Sequence, residues 1–514
     1  MRTENQPPIV GVLEIGSTGI RLLVAELLSG GLWRELDRAG RPVALGRDVF
    51  TSGELSRESL LECLSVLRGF REILAGWGIE VSQVHAIATS AIRAARNRDV
   101  FVDRVRQEAG FSLSIVEGIE ENRLMYLAVR HALKQDLPLF WKANSMIIEI
   151  GGGSTEIMLL RRGKMVAAHS LRLGTILIDQ RFRRNPASPL SRTRYLNESI
   201  RSTARTLSAE MELSHVRTFV VAGSDARIAS VLIGKEINEQ CRMISREAFR
   251  DFAEKIHDYS IEDCVQKFHI PYGEAEGFVP GLLVYRLFLE ETGAEEVVVP
   301  MESIREGYLL NLSLGGESEI EGEFFSQIIA SAANLGRKFH FDEQHARYVA
   351  DLSLSLFDAL KKEHGMGRRE RMMLETAAIL HDIGMFIQGA DHEKHGSYIV
   401  GNSEIFGLNR EELDIIANVV RYHRGPPPSR PDISYVSLQR EERVLVLKLS
   451  SILRVADSLD RGHSRQLRLL GVERKGETIM LHTQGLHDLS LELMGLEEKG
   501  DLFEDVFGYK VMLI

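Results

Sequence analysis

Two short segments each place one carboxylate just ahead of a turn of glycines and small hydroxyl residues. Leu13-Glu14-Ile15-Gly16-Ser17-Thr18-Gly19 recurs 135 residues later as Ile148-Glu149-Ile150-Gly151-Gly152-Gly153-Ser154. Backbone N–H groups in such turns close on an anion, and a carboxylate beside them suits a hydrated divalent cation. Two of these turns, one per half of a duplicated core, would grip phosphates from both sides of a cleft. The segment ATSAIRAARN (88–97) follows an apolar run and opens a helical one, a junction where free N–H groups meet an anion. There Arg93 offers a fork of donors. In GIEENRLMYL (118–127), Glu120 and Glu121 stand at a helix start, where the helix dipole favours an ionised carboxylate. Either suits a base that takes a proton from water. Farther along lie His345, the pair His381-Asp382, then His395, His423 and Asp457. Mixed imidazole and carboxylate groups suit a divalent transition metal.

The elements that must carry these residues fall into two styles. Apolar runs at 9–14 and 20–28 flank the first turn, and runs at 146–160 flank the second, so each reads as strand, Gly-rich hairpin, strand. Up to about residue 312, strands at 84–89, 217–222 and 296–299 alternate with helices at 56–75, 97–109, 120–133, 191–213, 246–258, 274–292 and 303–311. That alternation indicates α/β architecture. A Gly/Glu-rich stretch from Leu314 marks a boundary. From 323 to about 465 the pattern is helical, with helices expected near 342–360, 368–384, 411–424 and 443–460 and Asp342 as a helix cap. Leu467–Val472, Thr478–Thr483 and Leu489–Leu493 read as strands of a small appendage. The expected domains are therefore 1–130, 131–313, 318–465 and 466–514.

The chain has 514 residues, 44% of them hydrophobic and 26% charged, with a net charge of −10. That balance argues against general nucleic-acid binding. A polyanionic substrate would need a local basic path, for which Arg93, Arg96 and Arg98, Arg161, Arg162 and Lys164, and Arg181, Arg183 and Arg184 are candidates. No apolar stretch approaches a membrane span. Three scattered cysteines without a C-x-x-C pair fit a reduced cytoplasm.

The segments GVLEIGSTGIRLLVAEL, ATSAIRAARN, EGIEENRLMYL, MIIEIGGGSTEIMLL, SLRLGTILIDQRF, VVAGSDARIA and SIREGYLL, in this order, resemble the exopolyphosphatase / guanosine pentaphosphate phosphohydrolase family. The resemblance implies two actin-like ATPase (ribonuclease H-like) subdomains with an active site between them. It implies Glu121 as general base, Arg93 as the arginine on the terminal phosphate, and Glu14, Glu149 and Glu156 as acids associated with Mg2+. Gly16, Ser17 and Thr18, with Gly151, Gly152, Gly153 and Ser154, would cradle the phosphates. The implied substrates are inorganic polyphosphate and guanosine pentaphosphate, and the implied assembly is a homodimer.

This chain departs from that family at defined points. Asp is usual at 14 and 149, and each Glu lengthens its arm by roughly 1.5 Å. The first turn reads GSTG rather than GSNS. Gly223-Ser224-Asp225-Ala226 replaces a GGT or SGT segment. A charge on Asp225 about 4 Å from a phosphate oxygen would cost roughly 4 kcal/mol at an effective dielectric near 20.

The pieces DEQHARYVA, AAILHDIG, HEKHGSYI, RYHRG and RVADSLDRGH resemble the HD metal-phosphohydrolase signature. An all-α HD-type domain is thus expected, with His345, His381, Asp382 and Asp457 holding Mn2+, Fe2+ or Zn2+. His395 and His423 would serve a second metal. Two further readings stand beside a phosphoanhydride hydrolase. One puts the chemistry in the HD-type domain with the front half as sensor, and the other is a non-catalytic binder of polyphosphate or alarmone.

Overall fold

The structure is a computed structural model that describes the backbone of residues 7–28, 32–133, 140, 142–171, 173–184, 189–313, 319–428, 432–485 and 488–514. It describes their side chains apart from those of 119, 179, 181–184, 189–197, 319–321 and 323. The chain divides into two compact units, Met1–Gly322 and Glu323–Ile514. Residues 314–318 of the Gly/Glu-rich boundary segment lie outside the described residues.

The first unit is built on a repeated strand plan. β1 (Ile9–Ile15), β2 (Gly19–Leu27), β3 (Trp33–Pro42), β4 (Val84–Ala88) and β5 (Leu113–Ile115) form a sheet in the order β3-β2-β1-β4-β5. A second sheet contains β6 (Asn144–Ile150), β7 (Thr155–Arg161), β8 (Lys164–Leu171) and β9 (Val216–Ala222). β10 (Lys235–Asn238), β11 (Cys241–Ser245) and β12 (Glu296–Pro300) complete it in the order β10-β11-β12-β9-β6-β7-β8. β1 runs antiparallel to β2 and parallel to β4, and β6 runs antiparallel to β7 and parallel to β9. The second sheet thus repeats the first and adds an antiparallel β11-β10 edge.

β1 and β6 are buried along nearly their whole length, as central strands covered on both faces must be. Their continuous apolar sequence follows from that. β3 was not anticipated from the sequence because Arg34, Glu35, Asp37 and Arg38 leave an edge strand without apolar alternation. Each sheet has its own core, one around Leu13, Leu22, Leu64 and Phe101, the other around Ile148, Phe219, Phe278 and Tyr285. Helix Gly118–Leu133 runs through the boundary expected at 130.

In the second unit, helices Glu343–Ala359, Arg368–Leu380, His392–Gly401, Arg410–Arg421 and Arg440–Ser458 pack together. Asp342 caps the first by accepting from the backbone N–H groups of Gln344 (3.1 Å) and His345 (3.0 Å). A three-stranded sheet follows, from β13 (Arg468–Lys475), β14 (Thr478–Gln484) and β15 (Lys510–Leu513). The strand expected at Leu489–Leu493 is instead the helix Ser490–Lys499. Leu489, Leu491 and Leu493 alternate like a strand, yet the buried residues are Glu492, Gly495 and Leu496, which share one helical face. Among the described residues no helix is long and apolar enough to cross a membrane.

Candidate active site and a second side-chain cluster

The two hairpins close identically. Gly16 N–H donates to Gly19 O at 2.9 Å, and Gly151 N–H donates to Ser154 O at 2.8 Å. Both turns open on one pocket, lined by Glu14, Gly16, Ser17 and Thr18 from the first and by Glu149, Gly151, Gly152, Ser154 and Glu156 from the second. Thr89 and Ser90 reach it from the β4–helix junction, and the Ser90 hydroxyl lies 3.1 Å from that of Ser17. Glu121 completes the wall from the start of its helix. Below the pocket Tyr285 ties the sheet ends together, donating to Ala222 O (2.7 Å) and accepting from Ile150 N–H (3.0 Å).

Two expected residues stand outside this lining. Gly153 faces Phe50, whose ring would lie 2.1 Å from an added Cβ, so glycine there permits this packing. Arg93 sits behind Glu121. It donates to Glu121 Oε2 from both terminal nitrogens (3.1 and 3.2 Å) and to Val116 O (2.5 Å). Among the described side chains the remaining basic candidates do not line the pocket either. Arg96 serves Ser52 O and Glu54, Arg98 reaches Arg93 O, and Arg161 reaches Glu210 O. The side chains of Arg181, Arg183 and Arg184 lie outside the described residues.

Three arginines that the sequence reading passed over line the pocket instead: Arg21, Arg227 and Arg305. Arg305 pairs with Glu14 at 3.1 Å, and Arg21 pairs with Glu274 at 2.9 Å. A signal for Arg21 was present. It stands opposite Glu14 across β1–β2, as Glu156 stands opposite Glu149 across β6–β7, and the same 135-residue offset relates the two.

The carboxylates are strongly perturbed. Burial pushes Glu121 up to about 8, against the pull of Arg93. Burial and the neighbouring Glu121 push Glu149 up to about 7. Burial also lifts Glu156 to about 7, although Ser170 donates to it at 2.8 Å. The expected repulsion from Asp225 is corrected by its position. Asp225 does not line the pocket but lies buried against the helix Tyr272–Glu291, where a Cβ on Gly281 would stand 2.5 Å from its Oδ2. Burial raises it to about 8, so it is mostly neutral at pH 7.

Among the described residues, three or more His, Asp or Glu ligand atoms within 4.8 Å of one another occur in the second unit alone. The groups are His345–His381–Asp457, Asp382–His392–His423 and His345–Asp382–His463. Four of these imidazoles are oriented from behind. The Nδ1 atoms of His381, His392 and His423 lie 2.7, 2.9 and 2.7 Å from the carbonyls of Ala378, Gly389 and Val420. His345 Nδ1 lies 2.8 Å from Asp460 Oδ2. Each Nδ1 therefore carries a proton and each Nε2 is turned towards the cluster, the orientation of metal-ligating imidazoles. The Nε2 atoms of His345 and His381 are buried without a hydrogen-bond partner, which is costly unless a ligand satisfies them.

Asp382 spans the cluster, with Oδ1 3.1 Å from His392 Nε2 and Oδ2 3.6 Å from His381 Nε2. His395 is corrected to His392. His395 joins none of the groups, while His392, one helical turn earlier, faces Asp382 and His423. His392, Asp460 and His463 lie in the quoted segments HEKHGSYI and RVADSLDRGH but were passed over for His395 and Asp457, because sequence order does not say which of two neighbouring histidines or aspartates faces the cluster.

Burial acts upward on Asp457, but Lys499 and His381 hold it down at about 2. Burial also acts upward on Asp382, and His381, His392 and His423 hold it well below the usual range.

These features have relatives. A family model described as the Ppx/GppA phosphatase family matches residues 24–315, and one described as Ppx/GppA phosphatase, domain III, matches residues 329–498. A protein of Pseudoalteromonas atlantica named guanosine-5'-triphosphate,3'-diphosphate pyrophosphatase is 23% identical over 462 residues, covering 88% of this chain and 86% of that protein. Its namesake from Pseudoalteromonas translucida is 25% identical over 429 residues, covering 82% and 81%. A crystal structure of an exopolyphosphatase from Cytophaga hutchinsonii shares the fold, with a TM-score of 0.54 at 19% identity, covering 60% of this chain and 99% of that one. With the first family match spanning more than half of the sequence and the second reaching through the helical unit, this chain belongs to the Ppx/GppA phosphatase family.

Proposed function

We propose that the chain releases terminal orthophosphate from inorganic polyphosphate, guanosine pentaphosphate or both; as a member of its family it is a phosphoanhydride hydrolase. The observation that carries the substrate reading is the convergence of both duplicated hairpins on one pocket with Glu121 and three arginines. Glu121 takes the proton of the attacking water. Its Oε2 is held by Arg93, which leaves Oε1 for that proton. Arg93 thus positions the base, while Arg21, Arg227 and Arg305, with the hairpin N–H groups, stabilise charge spreading over the phosphoryl oxygens.

The donor set of the pocket fits a hard divalent cation such as Mg2+, which uses one or two carboxylates together with substrate phosphates. Glu149 and Glu156 face each other across the hairpin, both pushed up to about 7 chiefly by burial. They would hold it. Glu14, paired with Arg305, is less available. A cation there would neutralise charge on the anhydride.

Phosphate release from long-chain polyphosphate and from guanosine pentaphosphate, with and without Mg2+, tests the reading. Divalent-dependent release by wild type that is lost in Glu121→Gln is expected. Equal release by both proteins, or none by wild type, would overturn it.

A second reading is favoured by the orphaned Nε2 atoms of His345 and His381. The helical unit is an HD-type domain that holds a transition metal through His345, His381 and Asp457, with Asp382 leading to His392 and His423. Elemental analysis of the full chain beside His381→Ala/Asp382→Ala checks it.

A further inference from the structure

We propose that Lys499 is a positioning residue for that metal centre: it holds the outer oxygen of Asp457, limits this carboxylate to one metal bond and keeps the metal exchangeable. The inference rests on the metal reading of the His/Asp cluster. The two oxygens of Asp457 are divided between different partners. Oδ1 lies 3.7 Å from Nε2 of both His345 and His381. Oδ2 accepts from the Lys499 ammonium. A carboxylate chelates a metal only with both oxygens, so the second bond is already taken. A fixed positive charge one carboxylate away from a bound cation also works against the cation.

Lys499 is placed by a built scaffold. It is the last residue of the helix Ser490–Lys499 and its side chain is only 16% exposed. Its carbonyl accepts from Arg454 Nε at 2.8 Å. Arg454 is fully buried one turn before Asp457, and it also donates to Gly425 O (2.8 Å), just past His423, and to Asp501 (3.0 Å). One guanidinium therefore locks the lysine-bearing segment to both ligand-bearing elements. Gly495 lets the helix come close, since a Cβ there would stand 3.1 Å from the Cβ of Ser458, the residue after Asp457. An exposed lysine would swing freely; this one is sequestered against a single carboxylate.

The test uses the full chain, stripped of metal and titrated with Co2+ against a chromophoric chelator. Outer partners of metal ligands typically shift affinity by about 10- to 100-fold. Lys499→Met should bind Co2+ at least about tenfold tighter and release it more slowly, with a changed Co2+ absorption spectrum as the second carboxylate oxygen joins. Lys499→Arg, which restores the charge and the donor, should return towards wild type. Lys499→Gln serves if Lys499→Met fails to fold, judged by circular dichroism of the metal-free proteins. Binding by wild type with no gain in either neutral variant would overturn the inference alone. Failure of wild type and neutral variants alike to bind Co2+ would overturn the metal reading and the inference with it.

Discussion

In the pocket of the first unit burial pushes Glu121 up to about 8 and Glu149 and Glu156 to about 7, whereas in the second unit Asp457 stands at about 2 and Asp382 is also held down. Burial acts upward on all five. What differs is the company. Glu149 and Glu156 face each other, Glu121 has a single arginine, Arg93, and the pocket's Arg305 and Arg21 are paired with Glu14 and Glu274. The cluster carboxylates face imidazoles and a lysine. On the proposed function, a cation arriving with the polyanionic substrate would relieve the facing Glu149 and Glu156. In the cluster the carboxylates already have partners, and under the proposed metal reading a cation would instead satisfy the orphaned Nε2 atoms of His345 and His381.

The duplicated hairpins repeat this contrast on a smaller scale. Glu14 lies opposite Arg21, and Glu149 lies opposite Glu156. One copy pairs its acid with an arginine within the chain, and under the proposed function its twin would be the better cation holder.

The largest effect should come from the base. Glu121→Gln is expected to lower kcat on polyphosphate or guanosine pentaphosphate by about 10²–10⁴, measured as steady-state phosphate release. Near-wild-type turnover would remove Glu121 from the chemistry. Next in size, His381→Ala/Asp382→Ala should bring metal content from stoichiometric to near zero and lower Tm in metal-containing buffer, because a ligand bound only by the folded state stabilises it. Equal metal content in both proteins would erase the contrast between the units.

A pH profile sharpens the contrast further. Glu121 must be ionised to take a proton, and burial raises it to about 8. kcat/KM should therefore climb about tenfold per pH unit below that value and level off above it. Glu149 and Glu156, at about 7, act in the same direction. A flat profile from pH 6 to 8 would mean that the base is already ionised across that range.

The smallest effect is on stability. Folded Asp225 keeps its proton up to about pH 8, while the unfolded chain releases it near 4. Between these values the unfolded state gains from ionisation, so stability falls as pH rises. Asp225→Asn should raise Tm by several degrees at pH 8 and by less at pH 5. An equal shift at both values would show that Asp225 does not titrate in this way.

Much of the first unit was legible in the sequence because a hairpin is a local object. Glu14, Gly16, Glu149 and Gly151 carry their own turn, and the 135-residue offset announces a repeated fold before any contact is known. Helix starts were legible for the same reason, as at Asp342, whose carboxylate caps residues two and three positions away. The charged edge strand β3 and the helix Ser490–Lys499 were not, because an exposed face need not follow a period and Leu489, Leu491 and Leu493 mimic one.

The sequence by itself determined which residue types would meet: acids and glycines in the first unit, histidines and aspartates in the second. Tertiary structure alone decided their partners. It set Arg93 behind Glu121 rather than in the pocket lining and brought Arg305 onto Glu14 from nearly three hundred residues away. It turned Asp225 away from the pocket, chose His392 over His395, and delivered Lys499 to Asp457. The physical reason is range. Turn and cap geometry act over a few residues, whereas burial and charge depend on whatever the folded chain packs alongside.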